Sequence, residues 1–206
     1  MILPNPNAPT GVGMGVDAIE SIIANNPDSV VIIDEAYVDF GTESVLPLIK
    51  KYDNLLVVQT MSKSRSLAGM RIGFAFGDAG LIKYLNDVKF SFNSYTMNQT
   101  ALAAGVAAVN DRAYFEQCCK KIIATREWVK KELSDLGFAF PDSKSNFIFA
   151  THTAYPAKEL FAQLKERKIY VRYFAKPRID DYIRITIGTD AQMHVFLDAV
   201  RDILAQ

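Results

Sequence analysis

Ser29-Val-Val-Ile-Ile-Asp-Glu-Ala-Tyr37 is the stretch on which the reading of the fold turns. Its β-branched run, with no polar residue alternating through it, reads as a strand buried on both faces, the pattern of a parallel sheet. The strand ends at Asp34. Upstream, Val16, Ile19, Ile22 and Ile23 recur at helical spacing until Asn25-Asn-Pro27 stops them. Downstream, Leu55-Leu-Val-Val58 is a second strand of the same kind, leading into Gln59-Thr-Met-Ser-Lys63. Ile72-Gly-Phe-Ala-Phe76, between Gly69 and Gly77, reads as a third. Helical stretches around 46–51, 79–88 and 98–110 lie between and after these strands. Strands alternating with helices indicate an α/β layer architecture.

A long helix is expected over about 111–136, with Phe115, Cys118, Cys119, Ile122, Val129, Leu133 and Leu136 along one stripe and Gly137 where a C-terminal cap is wanted. Its length suits a connector between two domains, 1–120 and 121–206. The second has a different character. Short strands are expected near 138–140, 146–150, 169–173 and 182–187, with a helix over 157–168. A last helix opens on the capping-box pattern Thr189-x-x-Gln192. The reading is a small α+β domain.

Composition narrows the function. Lys+Arg and Asp+Glu are both 23 in 206 residues, so no net charge draws the chain to nucleic acid or to an acidic membrane. Half the residues are hydrophobic, enough for a sizeable core. Cys118 and Cys119 are helix neighbours pointing different ways, which disfavours a disulfide, and His152 and His194 have no metal-ligand spacing. No apolar run is long enough to span a bilayer as a helix, and there is no signal-peptide pattern. A cytoplasmic protein without metal is the expectation. The opening, Met1-Ile-Leu running into Pro4-Asn-Pro-Asn-Ala-Pro9-Thr-Gly11, reads as a dense turn with no element before it, which suggests a shortened chain.

Polar residues at the carboxyl ends of parallel strands are where an open α/β sheet binds ligands. Asp34 stands at such an end, either as a cap for the next segment or as a ligand contact, and Tyr37 follows three residues later. Lys63 lies in Thr60-Met-Ser-Lys-Ser-Arg-Ser-Leu-Ala-Gly-Met-Arg71, among hydroxyls and arginines that suit a phosphate. A lysine beside cations and away from water has the depressed pKa that a Schiff-base amine needs, but a loop lysine is more often a solvated charge. In Tyr182-Ile-Arg-Ile-Thr-Ile187, alternation puts Tyr182, Arg184 and Thr186 on one face and the isoleucines on the core face. Arg184 there is a surface arginine or an anion anchor. Gly11-Val-Gly-Met-Gly15 lacks the strand and the Lys-Ser/Thr of a nucleotide loop. Tyr170, Tyr173, Phe174 and Lys176 suit a core or pocket lining better than a nucleic-acid face.

Taken in order, Asn-Pro-Asn-Ala-Pro-Thr-Gly (5–11), Asp-Glu-Ala-Tyr (34–37), Ser-Lys-Ser-Arg-Ser-Leu-Ala-Gly-Met-Arg (62–71) and Tyr-Ile-Arg-Ile-Thr-Ile-Gly-Thr (182–189) resemble the successive signatures of class I/II, fold-type I pyridoxal-phosphate-dependent aminotransferases. The histidinol-phosphate branch is the most similar. The resemblance implies the C-terminal part of that family's large domain, a mainly parallel sheet with flanking helices, followed by its small α+β domain. It implies Lys63 as the Schiff-base lysine and Asp34 as the partner of the pyridine nitrogen of pyridoxal 5'-phosphate. Tyr37 would bond the cofactor's phenolic oxygen, and Thr60, Ser62 and Arg71 would hold its phosphate. The family's turn carries an asparagine where this chain has Ala8, leaving Asn7 as a candidate contact. Arg172 and Arg184 would anchor the anionic groups of an amino donor and a 2-oxo acid.

The reaction implied moves the amino group of histidinol phosphate to 2-oxoglutarate, in a homodimeric full-length enzyme. An aromatic amino-acid aminotransferase and a threonine-phosphate decarboxylase are the nearest alternatives. A non-catalytic fragment is the alternative from another class, since the family's phosphate cradle, ring-stacking aromatic and partner-reaching tyrosine find no counterpart in these residues.

Overall fold

The computed structural model describes residues 1–205 and divides the chain into two compact units. One comprises Met1–Asn7 and Gly13–Cys119; the other comprises Ala8–Val12 and the chain from Lys120 on.

The first unit is built on one four-stranded sheet in the order β1 (Ile2–Pro4), β2 (Val31–Asp34), β3 (Leu55–Thr60) and β4 (Gly73–Gly77). The first three strands are parallel. Helix α1 (Val16–Ala24) covers one face, its Ile19 and Ile23 fully buried with Val31, Ile33, Leu55 and Val57. Each such side chain contributes about 1.5–3 kcal/mol on leaving water.

Two expectations are corrected here. The residues before the 4–11 turn are not featureless: Ile2–Pro4 is a strand, pairing with β2 in parallel. The Asn5 amide extends that pairing to the Asp34 carbonyl at 2.8 Å. The 72–76 strand is antiparallel to β3 instead of parallel, and most of its residues are exposed. The connection explains it. Between Thr60 and Gly73 there is no α-helix, only a 3₁₀ turn at Ala68–Met70, and a parallel return needs a crossover. The Met61 amide instead bonds the Ile72 carbonyl at 3.1 Å and prolongs the hairpin ladder.

Helix α2 (Ala79–Phe92), capped by Asp78, buries none of its residues, and Tyr84 and Phe92 are 68% and 89% exposed. Helix α3 (Gln99–Asn110), capped by Asn98, lays Ala101 and Gly105 against Met61 and Ile72. A Cβ on Gly105 would stand 3.1 Å from Ile72 Cδ1, so this approach needs a glycine or a shift of the isoleucine. The division between the units falls inside the long helix α4 (Arg112–Asp135).

The second unit has an antiparallel sheet in the order β5-β6-β8-β7, from β5 (Phe138–Ala139), β6 (Phe147–His152), β7 (Arg172–Tyr173) and β8 (Ile183–Thr186). Val129 and Leu133 of α4 join α5 (Ala157–Glu166) and α6 (Asp190–Leu204) over one sheet face, which presents Ile148, Ala150, Ile183 and Ile185. The capping box at Thr189 and Gln192 forms, and Gly137 takes the left-handed conformation (φ 84°) just past α4.

Two more expectations change. The 169–173 strand shortens to Arg172–Tyr173, because Lys168 turns left-handed and the Ile169 amide bonds Leu164, closing α5. Ala8–Val12, expected in the first domain, belongs to the second unit, where the Gly11 carbonyl accepts the Lys144 amide at 2.8 Å.

Hydrogen bonds from Lys130 and then Lys144 hold the Asp142 carboxyl at about 2. A depressed folded-state pKa stabilises above the ordinary carboxylate value and loses that contribution as pH falls towards 2. Asp142→Asn should therefore be less stable than wild type at pH 5, by under about 1 kcal/mol because the site is exposed, with the difference vanishing near pH 2. Urea midpoints across that range measure it; a pH-independent difference would contradict the assignment.

Candidate functional site

The carboxyl end of the first unit's sheet is organised by Glu35, 1% exposed. One oxygen accepts the Val45 amide at 2.7 Å; the other accepts Ser44 Oγ at 2.7 Å and Gln59 Nε2 at 2.8 Å. The Glu35 amide in turn donates to the Val58 carbonyl at 2.8 Å. Successive residues of an extended segment point to opposite sides. With Glu35 turned inward, half-buried Asp34 is directed the other way. Asp34 Oδ1 accepts the Ala36 amide at 3.0 Å, so the capping contact exists, and a second carboxylate oxygen remains for another donor. A turn closed by the Val38 amide on the Glu35 carbonyl then presents half-buried Tyr37.

Lys63 lies at the end of the neighbouring strand's loop. Its Nζ stands 5.4 Å from the Tyr37 ring centroid, so the structure brings these two predicted residues together. Lys63 is exposed, as a loop lysine usually is, rather than held away from water. Thr60 and Ser62 are also joined: their hydroxyl oxygens are 2.8 Å apart, and the Ser62 amide donates to Thr60 Oγ1 at 3.1 Å. Arg71 is exposed and left-handed (φ 57°), with Nη1 donating to the Ala68 carbonyl at 2.9 Å and the rest of its fork unspent there. Asn7 is half-buried at the edge of this unit.

The second unit places its two predicted arginines directly opposite each other, Arg172 and Arg184 being register partners on β7 and β8. Like charges so placed repel, and among the described residues neither forms an ion pair with a carboxylate. The Arg184 guanidinium lies 5.0 Å from the Phe147 ring and 5.8 Å from Phe174, and Arg172 is 5.4 Å from Phe174. Arg184 Nε is buried without a hydrogen-bond partner. A buried donor left unpaired costs about 1–3 kcal/mol. Two adjacent cations without a carboxylate partner among the described residues, one with an orphaned donor, have the chemistry to accept an oxyanion.

Sequence reasoning missed Glu35 and Asn5, although it quoted the motifs containing both. Asn5 is fully buried, its Oδ1 accepting the Met14 amide at 2.7 Å and its Nδ2 donating to the Met14 carbonyl at 3.2 Å. It thereby closes the 5–14 loop. Burial pushes the Cys119 thiol up to about 11, so that cysteine stays neutral and is no nucleophile.

The donor set fits pyridoxal phosphate: a carboxylate for a ring N–H⁺, a phenol for a phenolate, hydroxyls and a guanidinium for phosphate, and a lysine beside the phenol. Residues 1–200 match the aminotransferase class I and II family. Among curated relatives, histidinol-phosphate aminotransferase 2 of Dechloromonas aromatica (strain RCB) is 55% identical over 203 residues, 98% of this chain and 57% of its own length. The histidinol-phosphate aminotransferase of Clostridium botulinum (strain Okra / Type B1) is 51% identical with the same coverage. This chain thus spans about 57% of the length of these relatives. The crystal structure of histidinol-phosphate aminotransferase from Sinorhizobium meliloti in complex with pyridoxal-5'-phosphate superposes with a TM-score of 0.87 at 25% identity, covering 99% of this chain and 56% of that one.

Arg184→Met keeps the unbranched stem of the side chain and removes the guanidinium with its charge. Replacing a half-buried cation that has no carboxylate partner among the described residues by an apolar chain should leave stability unchanged or raise it by about 1 kcal/mol. Equilibrium urea unfolding measures this; a loss above about 2 kcal/mol would show that Arg184 supports the fold.

Proposed function

The chain belongs to the class I and II aminotransferase family, and on that premise we propose that it carries the cofactor-holding and substrate-anchoring residues of a histidinol-phosphate aminotransferase. The reaction is reversible transfer of the amino group of L-histidinol phosphate to 2-oxoglutarate, giving imidazole-acetol phosphate and glutamate, in histidine biosynthesis. Identity of 55% to a relative of that name, over 98% of this chain, supports the choice of substrate. The proposal extends to a cytoplasmic setting and to a homodimer in the full-length enzyme. Among the described residues, no helix is long and apolar enough to cross a membrane.

The observation that carries the chemistry is the grouping of Asp34, Tyr37 and Lys63 on adjacent strand ends, with Lys63 Nζ 5.4 Å from the Tyr37 ring. Pyridoxal 5'-phosphate, when bound, supplies a pyridinium that withdraws electrons from the substrate Cα. The Asp34 carboxylate would keep the proton on the ring nitrogen by accepting its N–H. The Tyr37 hydroxyl would donate to the phenolic oxygen and set the tilt of the ring. Thr60, Ser62 and Arg71 would orient the phosphate, and Asn7 is a further candidate contact. The Lys63 amine would hold the cofactor and would carry the proton between the substrate Cα and cofactor C4′. Arg172 and Arg184 of the second unit would receive the phosphate of one substrate and a carboxylate of the other.

A second reading is favoured by two observations: Lys63 is exposed, and α2 buries none of its residues. On that reading the polypeptide of 206 residues does not load cofactor by itself. Titration with pyridoxal phosphate separates the two. A visible absorption band that saturates, is abolished in Lys63→Ala and needs about ten- to a hundredfold more cofactor in Asp34→Ala is expected for the loss of a charged hydrogen bond. A wild-type chain without the band supports the second reading. In a full-length enzyme, preference for phenylalanine over histidinol phosphate would overturn the substrate.

A further inference from the structure

Arg65 has no part in the proposed chemistry, yet its side chain is held by two contacts outside the Lys63 loop. Its guanidinium lies over the Phe115 ring, 3.9 Å from the centroid, and its Nη1 donates to the Ala108 carbonyl. Ala108 is in the last turn of α3, where carbonyls lack helical partners and a cation is favoured. Phe115 is in the first turn of α4. One side chain therefore ties the loop to the junction of two helices. Ser64, next to it and 4% exposed, donates to Asp39 Oδ2 at 2.5 Å. Asp39 belongs to the 3₁₀ turn Val38–Phe40 that follows Tyr37.

The backbone between these anchors is closed on itself. The Ser66 amide bonds the Lys63 carbonyl at 3.1 Å, and the Leu67 amide bonds the Met61 carbonyl at 3.0 Å. Ser66 is left-handed (φ 55°), a conformation that a serine holds only when its surroundings impose it. The Lys63 side chain itself is exposed. The position of its amine is set through the residues after it. A cavity of about 250 Å³, lined by Ser64, Arg65, Leu67, Ala108, Tyr114 and Cys118 among others, lies beside the clamp and gives Arg65 room to leave it.

We propose that Arg65 is a positioning residue for Lys63: by locking the α3–α4 junction to the 61–67 loop, it fixes where the lysine amine meets the Tyr37 side of the site. This rests on Lys63 being the cofactor lysine.

The test compares wild type with Arg65→Leu, Arg65→Lys and Phe115→Leu, using pyridoxal phosphate as the probe. Arg65→Leu should bind it about tenfold more weakly, as for one lost charge-assisted hydrogen bond. The pH midpoint of its visible band should shift, because the amine no longer meets the same neighbours. Methylguanidinium, small enough for the cavity, should restore both, and Arg65→Lys should restore part through the Ala108 carbonyl. Phe115→Leu, which keeps Arg65 and removes only the ring, should move both quantities the same way by less, and it stands in if Arg65→Leu does not fold. In cofactor-free protein, the Ser66 and Leu67 amides should exchange hydrogen faster in Arg65→Leu. That readout tests the clamp even if wild type shows no band, in which case the functional reading fails separately. Wild-type affinity, band midpoint and exchange in Arg65→Leu would overturn the proposal. So would weakened binding that neither methylguanidinium nor lysine relieves.

Discussion

Burying a carboxylate is tolerable only when its oxygens are satisfied, and the way Glu35 meets that demand arranges the carboxyl end of the first unit's sheet. Its contacts come from Gln59 on β3 and from Ser44 and Val45 between them in the chain. Those bonds hold the carboxyl ends of β2 and β3 in one register, extended by the Glu35 amide on Val58. Because neighbouring residues alternate sides, Glu35 facing inward turns Asp34 outward. The turn that follows delivers Tyr37 towards the loop after β3. The residues proposed to carry the chemistry flank one whose hydrogen bonds are all spent within the sheet end.

The second unit divides its labour between the two faces of one sheet. Ile183 and Ile185 join Ile148 and Ala150 under α4, α5 and α6, and this side supplies the core. The opposite side carries Phe147, Phe149, Arg184 and Arg172, with Phe149 stacked on Tyr182 at 4.4 Å. Two arginines in register, unneutralised, lower stability rather than raise it. Rule-breaking of that kind is characteristic of sites that serve a ligand rather than the fold.

What was legible in the sequence follows from locality. The runs at 29–33 and 55–58, the stripe of α1, the alternation of 182–187 and the Thr189 capping box are each written within a few residues, and all appear as strands, helices and caps where their periodicity put them. The direction of β4 was not, since an apolar run has no arrow; the connection decides it. Strand β1 was hidden in three residues whose partner lies about thirty positions on. Lys63, Tyr37, Thr60 and Ser62 were named from motifs, while the choice between a solvated and a shielded Lys63 stayed open, because burial depends on what packs over a loop. Glu35, Asn5 and Arg65 escaped for the same reason. Each earns its place through partners distant in sequence, and Arg65, taken for part of a phosphate-friendly loop, spends its charge on a helix end and a ring instead.

The central claim is that the first unit's sheet end presents one lysine, Lys63, to pyridoxal phosphate. Reductive trapping reads this directly: borohydride is added to the protein with a stoichiometric amount of pyridoxal phosphate, and the modified lysine is located by peptide mass mapping. The account predicts a single reduced adduct on the peptide containing Lys63, lost when Asp34 is replaced by alanine at the same cofactor concentration. An adduct distributed over exposed lysines such as Lys50, Lys83 and Lys176, with Lys63 no more modified than they are, would contradict it.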